Sequence, residues 1–328
     1  MDRARLQKIA RPVLLVAGVI LAVHFVRSAG VAETLGVVRS AGPWIPALVL
    51  LQVGIVVCEA FGLRALLVGT ARVKDDPMPS RGLWVRATLV GFAWAVVLPA
   101  GRAAGEAIRA SMFAEEIGAA RAAGAAARQQ GCSLVGSAAA CLVCAAFALL
   151  AASSRTLGLL LLGNAAVVAF LASAVFVVVR RVGSSGRIHK WLSKIVANPH
   201  DSIAPSGAAT VRAALACTAG RLFQVLQCAL AIAAIGLPPT VAAAFTAEGV
   251  QILGASAGDL VPGQLGVVEG MYSAFAKVLG VADAPARALS LALVMRAAVW
   301  SLAAIGGVVG LIASIGRSAK QKKRSARD

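Results

Sequence analysis

Long apolar stretches recur along the whole chain, separated by short polar or basic segments. Stretches of about 20 apolar residues match the thickness of a bilayer's hydrocarbon core. A chain that spans a membrane without the strand pattern of a closed barrel must be helical. The pattern therefore predicts an all-α, polytopic membrane protein. The ten stretches, rich in Ala, Leu, Val and Gly, are residues 12–26, 44–68, 83–98, 100–117, 122–152, 157–179, 211–235, 239–261, 266–281 and 286–315.

Composition agrees with this prediction. Of the 328 residues 59% are hydrophobic and only 14% are charged, whereas about a quarter of a soluble protein is charged. These values exclude an ordinary soluble enzyme, a disordered chain and a small disulfide-bonded secreted domain. Four basic residues precede stretch 12–26 but no clear cleavage site follows it, so we interpret it as an uncleaved first helix.

The positions of the 32 Lys and Arg residues predict the topology. If stretches 83–117 and 239–281 are re-entrant hairpins, six full crossings remain. Most basic residues then lie in inner segments, as the positive-inside rule requires. The outer segments hold only Arg27, Arg39, Arg155 and Arg287. This arrangement also explains the net charge of +18 without nucleic acid.

The same topology predicts the domain organisation and the location. A single integral membrane domain covers residues 1–316, with half-repeats of roughly 44–180 and 211–316. A basic cytoplasmic tail follows at 317–328. We expect a bacterial-type plasma (inner) membrane and both termini in the cytoplasm.

Both predicted hairpins break at a similar phrase, about half the chain length apart. Each phrase has a proline, then glycines, then a glutamate seven residues after the proline. Such broken helices are typical of inverted repeats in secondary transporters, whose binding sites lie near the midplane. The alternative is that proline and glycine only kink two spanning helices. The break residues are Pro99, Gly101 and Gly105 in the first phrase and Pro262, Gly263 and Gly266 in the second.

Charged residues inside the apolar stretches are the candidate site. Each costs about 2.5–3.5 kcal/mol at the bilayer centre unless it is paired or faces water. An arginine donates two parallel hydrogen bonds and so suits a phosphate. We predict that a lipid phosphate is bound by Arg102, Arg109, Arg221 and Arg296, and that Glu106 and Glu269 orient these arginines or carry a coupling proton. Structural ion pairs, such as Glu59–Arg64 or Glu269–Arg296, are the alternative.

Both phrases resemble the signatures of one family. Residues 98–109 resemble Pro-x-Arg-x-Gly-Glu-x-x-Arg, and residues 261–269 resemble Pro-Gly-Gly-Leu-Gly-x-x-Glu. The family is the flippase-like membrane domain of lysylphosphatidylglycerol synthases, which also occurs as stand-alone proteins. The resemblance implies movement of lipids, or of lipid-linked head groups, between leaflets.

Two departures from the family change the expectation. Where members often carry Glu-Arg-x-x-Asp, residues 127–132 read Ala-Arg-Gln-Gln-Gly-Cys, so the carboxylates are missing. This loss bears on the substrate or on the energy coupling. No aminoacyl-transfer domain follows the membrane region, so we do not expect synthase chemistry.

Together these features predict a flippase or transporter rather than an enzyme. It moves a phospholipid or polyprenoid lipid head group through a cationic intramembrane cavity. The expected partners are membrane lipids, with an anionic head group as substrate, and either a second copy or a lipid-synthesis protein. The sequence contains no nucleophile, cofactor or metal motif that we can identify. A membrane enzyme or a scaffold in lipid or cell-envelope synthesis remains the alternative.

Overall fold

The computed structural model describes residues 24, 27, 31–69, 77–98, 100–182, 206–281 and 285–325. Most of the predicted first crossing at 12–26, the residue Pro99 and residues 183–205 of the basic loop lie outside these residues. Within the described ranges the chain forms helices and no strands. The α-helices are α1 Val31–Ser40, α2 Ile45–Gly69, α3 Arg81–Val97, α4 Gly101–Ile117, α5 Ala119–Leu150, α6 Arg155–Val182, α7 Gly207–Ala234, α8 Val241–Ala257, α9 Val267–Ala274 and α10 Pro285–Ser325.

Among the described residues, five segments are long and apolar enough to cross a membrane. They correspond one to one with the predicted crossings that follow stretch 12–26. The protein is therefore an all-α, multi-pass membrane protein, as predicted. The five segments are Gly42–Gly69, Ala119–Leu150, Arg155–Arg180, Gly207–Ala234 and Ala286–Ile312.

Side-chain caps define where several helices begin. The Ser206 hydroxyl accepts a hydrogen bond from the Ala209 N–H at the start of α7, and Thr240 caps α8 in the same way. At the start of α3, Ser80 donates through its N–H and its hydroxyl to the two carboxylate oxygens of Glu116, at 2.7 and 3.0 Å. Since Glu116 lies at the end of α4, this contact also joins the two ends of the α3–α4 unit.

The helices follow the same order in both halves of the chain. A long helix is followed by a 17-residue helix, a break, a second helix and another long helix. This order describes α2 to α5 and again α7 to α10, with α6 between them. The second helices differ, since α4 has 17 residues and α9 has 8. The common order supports a repeat, and its inverted orientation in a membrane stays a prediction.

The predicted apolar stretch 266–281 is helical for only half its length. Helix α9 ends at Ala274, and turns follow through Gly280. Gly280 has a φ of +74°, in the left-handed region that glycine adopts without strain. The sequence pattern did not reveal this end because the residues around it are as apolar as those within the helix.

Helices α3 and α4 form the first helix pair, and they fold back on each other at the first break, residues 98–100. Ala100 has a left-handed φ of +52° and ends the continuity of the helix. A Cβ atom at Gly105 would lie 2.6 Å from the carbonyl oxygen of Gly91, and one at Gly101 would collide with the Ala95 carbonyl. The predicted break residues Gly101 and Gly105 therefore allow the two backbones to touch.

Helices α8 and α9 form the second helix pair around the second break, residues 258–266. A 3-10 turn at Pro262–Gln264 lies between them, and Gly263 and Gly266 have φ values of +61° and +77°. A Cβ at Gly254 would lie 3.0 Å from the Cα of Val268, so these helices also pack closely.

The two breaks touch each other. The Ala100 N–H donates a 2.8 Å hydrogen bond to the Asp259 carbonyl. A Cβ at Gly263 would lie 3.4 Å from the carbonyl oxygen of Val96. A backbone N–H freed by the first break thus finds its partner in the second, as a low-dielectric environment demands.

The helix pairs extend from this contact in opposite directions along α10. Near its start, Ala288 and Leu291 line a small cavity with Leu279, which lies beyond α9. Further along, Arg296 bonds to the second break. Beyond that, Gly306 is packed against Leu89 of α3.

Contacts along α5 also place the two helix pairs on opposite sides of the breaks. Its first residue, Ala119, lines a cavity with Ala114 near the end of α4. Its middle contacts Arg102, at the first break. Near its end, Phe147 stacks on Phe245 of α8 with ring centroids 4.5 Å apart.

Candidate functional site

Two arginines from other helices contact the middle of α5 at neighbouring positions. Arg102, from the start of α4, donates to the Ser133 hydroxyl at 2.7 Å. Arg221, from α7, donates to the Ser137 hydroxyl at 2.5 Å. Because Ser133 and Ser137 are one helical turn apart, they place the two guanidinium groups on adjacent turns of the same helix face. We call these four residues the cationic centre.

Two carboxylates lie beside the cationic centre and are paired with it to different degrees. Glu59 Oε1 lies 3.9 Å from Arg102 Nη2, beyond hydrogen-bond distance. Arg221 Nη1 donates to Glu248 Oε1 at 3.4 Å and to Gln224 Oε1 at 2.9 Å. The side chain of Arg102 is 38% exposed and that of Arg221 is 15% exposed. The centre therefore holds two positive charges at mid-helix depth, and at least the first of them is accessible.

Glu106 and Arg109 form a tighter pair on α4, and it is also buried. Their closest atoms, Oε1 and Nη1, are 2.9 Å apart, and Arg109 is 3% exposed. The pair is formed one helical turn apart within a single helix, as the sequence spacing indicated. The second carboxylate oxygen of Glu106 is buried and has no hydrogen-bond partner in the described part of the chain.

Arg296 and Glu269 form the fourth pair, and it holds the second break in place. Arg296 Nε lies 2.7 Å from Glu269 Oε1, and Arg296 Nη2 donates to Oε2 at 3.0 Å. The guanidinium also donates to the carbonyls of Gly263 and Gln264. Glu269 in turn accepts a 2.9 Å bond from the Gly266 N–H. We call this set the clasp, because it joins α10, α9 and the 3-10 turn.

The six residues predicted to bind a substrate thus lie in three different environments. Arg102 and Arg221 meet at the cationic centre, Glu106 and Arg109 pair on α4, and Glu269 and Arg296 form the clasp. The structural pair Glu269–Arg296, which the sequence left as an alternative, does form. Glu59 lies beside Arg102, a partner that the sequence did not suggest.

The sequence analysis did not single out Ser133 and Ser137. Hydropathy gives little weight to serine, and these two stand in one of the most apolar helices of the protein. Their spacing of four residues, which places both hydroxyls on one face of an apolar helix, is the signal that could identify them. Gln129 was also missed, and its Nε2 donates to the Glu59 carbonyl at 3.0 Å.

A cavity of about 520 Å³ lies between α4, α5 and α6. We call it the alanine trough because eight of its twelve lining residues are alanines. Glu106 and Gln130 lie at one end of it, close to the cationic centre. Ala127 and Gln130 belong to the phrase where family members often carry carboxylates, so in this chain that phrase lines an apolar space.

The fold and the site define a multi-pass α-helical membrane protein with a polar, arginine-bearing site inside its helix bundle. The family model for the transmembrane region of lysylphosphatidylglycerol synthase matches residues 9–307, and the chain belongs to this family. Membership places it among membrane proteins of lipid or cell-envelope processes. No curated protein and no solved structure matches the chain significantly.

Proposed function

We propose that this protein carries a phosphate-bearing lipid, a phospholipid or a polyprenoid lipid, between the two leaflets of a membrane. The observation that carries the proposal is the cationic centre, where Arg102 and Arg221 donate to hydroxyl groups on adjacent turns of α5. Two guanidinium groups in this arrangement present parallel donors to one anionic head group. The lipid's chains stay in the hydrocarbon while its head group uses the polar site.

The loose contact between Glu59 and Arg102 favours reversible binding. Glu59 lies 3.9 Å from Arg102, which is longer than a hydrogen bond, and it is 23% exposed, so a phosphate displaces this carboxylate at small cost. Glu248 is fully buried and keeps its hydrogen bond to Arg221 while the phosphate binds. Glu59 receives Arg102 again when the head group leaves. A carrier needs this balance, because a site that binds too tightly does not release its cargo.

The depth of the centre also favours transport. Ser133 lies roughly 20–25 Å from either end of α5, at a rise of about 1.5 Å per residue. The two helix pairs extend in opposite directions from the breaks beside it. In transporters built from inverted repeats, one repeat rocks against the other around a central site and opens it to each side in turn. We propose the same movement here, with re-entrant helix pairs.

We also propose where the protein is located and that it catalyses no chemical reaction on the lipid. The positive-inside rule favours a plasma membrane with both termini in the cytoplasm. The lipid leaves the protein unchanged, so the chain acts as a carrier and not as an enzyme. Self-association, or a lipid-synthesis protein as partner, stays a prediction.

A leaflet-exchange assay tests the proposal. The protein is reconstituted into vesicles of phosphatidylethanolamine and phosphatidylglycerol that hold a trace of fluorescent phosphatidylglycerol labelled on one chain. A membrane-impermeant reductant then bleaches the outer leaflet. We expect wild-type vesicles to lose the protected fluorescence. Arg102→Gln and Arg221→Gln should each slow this loss about tenfold or more, because a hydrogen bond to a charged group contributes about 1.5–3 kcal/mol.

Arg155→Gln is the matched control, since Arg155 is exposed at the start of α6, away from the cationic centre. It should exchange lipid at the wild-type rate. Wild-type rates in Arg102→Gln and Arg221→Gln would contradict the assignment of the site. Chemical conversion of the labelled lipid, detected by chromatography, would contradict a carrier and support the enzyme alternative.

A further inference from the structure

We propose that the alanine trough binds one hydrocarbon chain of the carried lipid, with the polar end of that lipid at Glu106 and Gln130. The inference rests on the proposed function and extends it from the head group to the chain. It also assigns a role to a cavity that the head-group site does not use.

The walls of the trough come from two helix faces that carry small side chains. They are regularly spaced on each helix, so each set forms one continuous stripe. Small residues leave an open channel between helices that otherwise pack in contact. The volume of about 520 Å³ is in the range of small-molecule sites. The stripes are Ala103, Ala107, Ala110 and Ala114 on α4, and Ala119, Ala123, Ala126 and Ala127 on α5.

One end of the trough is polar and unsatisfied. Glu106 and Gln130 both line it, and Glu106 is 9% exposed. Glu106 Oε2 and Gln130 Oε1 are buried and have no hydrogen-bond partner in the described ranges. Buried polar atoms are nearly always bonded, so each exception calls for a partner. A hydrocarbon alone supplies none, whereas a lipid supplies O–H or N–H donors at the polar end of its chains.

This polar end adjoins the cationic centre. Arg102 lies one turn before Glu106 on α4, and Ser133 lies about one turn after Gln130 on α5. The trough therefore leads from an apolar channel to acceptor oxygens and then to two arginines. A lipid has the same order of groups, namely chain, donor-bearing polar region and phosphate. A second protein helix does not, so the geometry favours a lipid as the occupant.

Photo-crosslinking measures where the chain lies. Vesicles of phosphatidylethanolamine and phosphatidylglycerol receive a trace of either lipid with a diazirine at the end of one chain or next to its carbonyl. Mass spectrometry then locates the adducts. We expect the chain-end probe to label residues around Ala114 and Ala119, and the carbonyl-side probe to label residues around Glu106 and Gln130.

Leucine substitutions in the trough supply the test of specificity. Ala123→Leu and Ala127→Leu fill the channel, and each should lower labelling in the trough by roughly tenfold or more, the effect expected when extra methylenes occupy an apolar pocket. Ala146→Leu is the control, because Ala146 is exposed on the same helix outside the trough. It should leave the labelling unchanged.

The outcomes separate this inference from the proposed function. Equal labelling of the trough and of other exposed faces, or full labelling in Ala123→Leu and Ala127→Leu, would overturn the chain site, whatever the exchange assay gives. Crosslinks that join two protein copies through the trough, formed by a bifunctional reagent in a parallel sample, would also overturn it. Ordered labelling in Arg102→Gln, which lacks the proposed head-group contact, would support the chain site even if exchange fails.

Discussion

At the scale of single residues, the four arginine–glutamate pairs differ in how completely they are satisfied. Arg296 uses its donors on one carboxylate and two backbone carbonyls. Arg102 instead donates to one neutral hydroxyl, that of Ser133, and lies 3.9 Å from Glu59. Arg221 is intermediate, since it donates to Ser137, Gln224 and Glu248. An arginine with several close partners stabilises the structure, whereas one with few partners has donors left to bind a ligand. This difference supports our proposal that the clasp stabilises the fold and that the head group binds at the cationic centre, chiefly to Arg102.

The clasp makes a prediction at this scale. Arg296→Gln leaves Glu269 buried, 1% exposed, without its cation. Breaking a buried pair from one side costs about 3–5 kcal/mol. We expect a large drop in Tm of the purified protein in detergent. Arg102→Gln should lower Tm much less, because the side chain of Arg102 is already 38% exposed.

The double variant Glu269→Gln, Arg296→Gln provides the check. Removing both charges removes the uncompensated carboxylate, so the double variant should be more stable than Arg296→Gln alone. A double variant that is less stable than the wild type by the sum of the two single costs would mean that the two residues do not act as a pair.

At the scale of helices, close packing depends on glycine at particular positions. A Cβ at Gly306 of α10 would collide with the carbonyl oxygen of Leu89 on α3. The next residue, Gly307, has nothing within 4 Å of the same position. The position of Gly306 therefore has no room for a larger side chain, whereas the position of Gly307 does.

Gly306→Ala and Gly307→Ala make a matched pair of variants. The first should lower stability by about 1–3 kcal/mol, the usual cost of overpacking. The second should leave stability unchanged or raise it slightly, by up to about 1 kcal/mol, because alanine favours a helix. Thermal unfolding of both in the same detergent measures the difference. Equal effects would show that α10 does not approach α3 as described.

Apolar length and the Pro-Gly phrases predicted most helices but not their contacts. Predicted stretch 122–152 became α5, Ala119–Leu150, because a long apolar run has one stable form in a membrane. Helix α1 was not predicted, since Val31–Ser40 is short and only moderately apolar. The bond between Ala100 and Asp259 joins residues far apart in sequence, and backbone groups leave no trace in side-chain pattern.

The same limit applies to the candidate site. All six predicted residues are in ion pairs, because charges in an apolar helix must find partners. Which arginine receives which partner depends on how the helices pack. The sequence therefore predicted the same phosphate-binding role for Arg102 and Arg296. Packing leaves Arg102 accessible and places Arg296 in the clasp.

At the scale of the whole molecule, the two helix pairs diverge from touching breaks. Along α10 the second pair lies towards the start and the first towards the end. Along α5 the first pair lies towards the start, the first break beside the middle and the second pair towards the end. If α5 and α10 cross the membrane, the open ends of the pairs reach opposite faces. This arrangement is what an inverted repeat requires.

Cysteine labelling from one side of the membrane tests that arrangement. Gly82 lies at the start of the first pair, where an added Cβ would meet no neighbouring helix within 4 Å, and Val241 lies at the start of the second pair and is 65% exposed. In sealed, uniformly oriented vesicles, an impermeant maleimide should label either Gly82→Cys or Val241→Cys, but not both. The unsubstituted chain measures the background, which should be low because five of its six cysteines are buried and Cys58 is half-buried. Labelling of both variants from one side would place the helix pairs in the same orientation, and the two halves could not alternate as inverted repeats do.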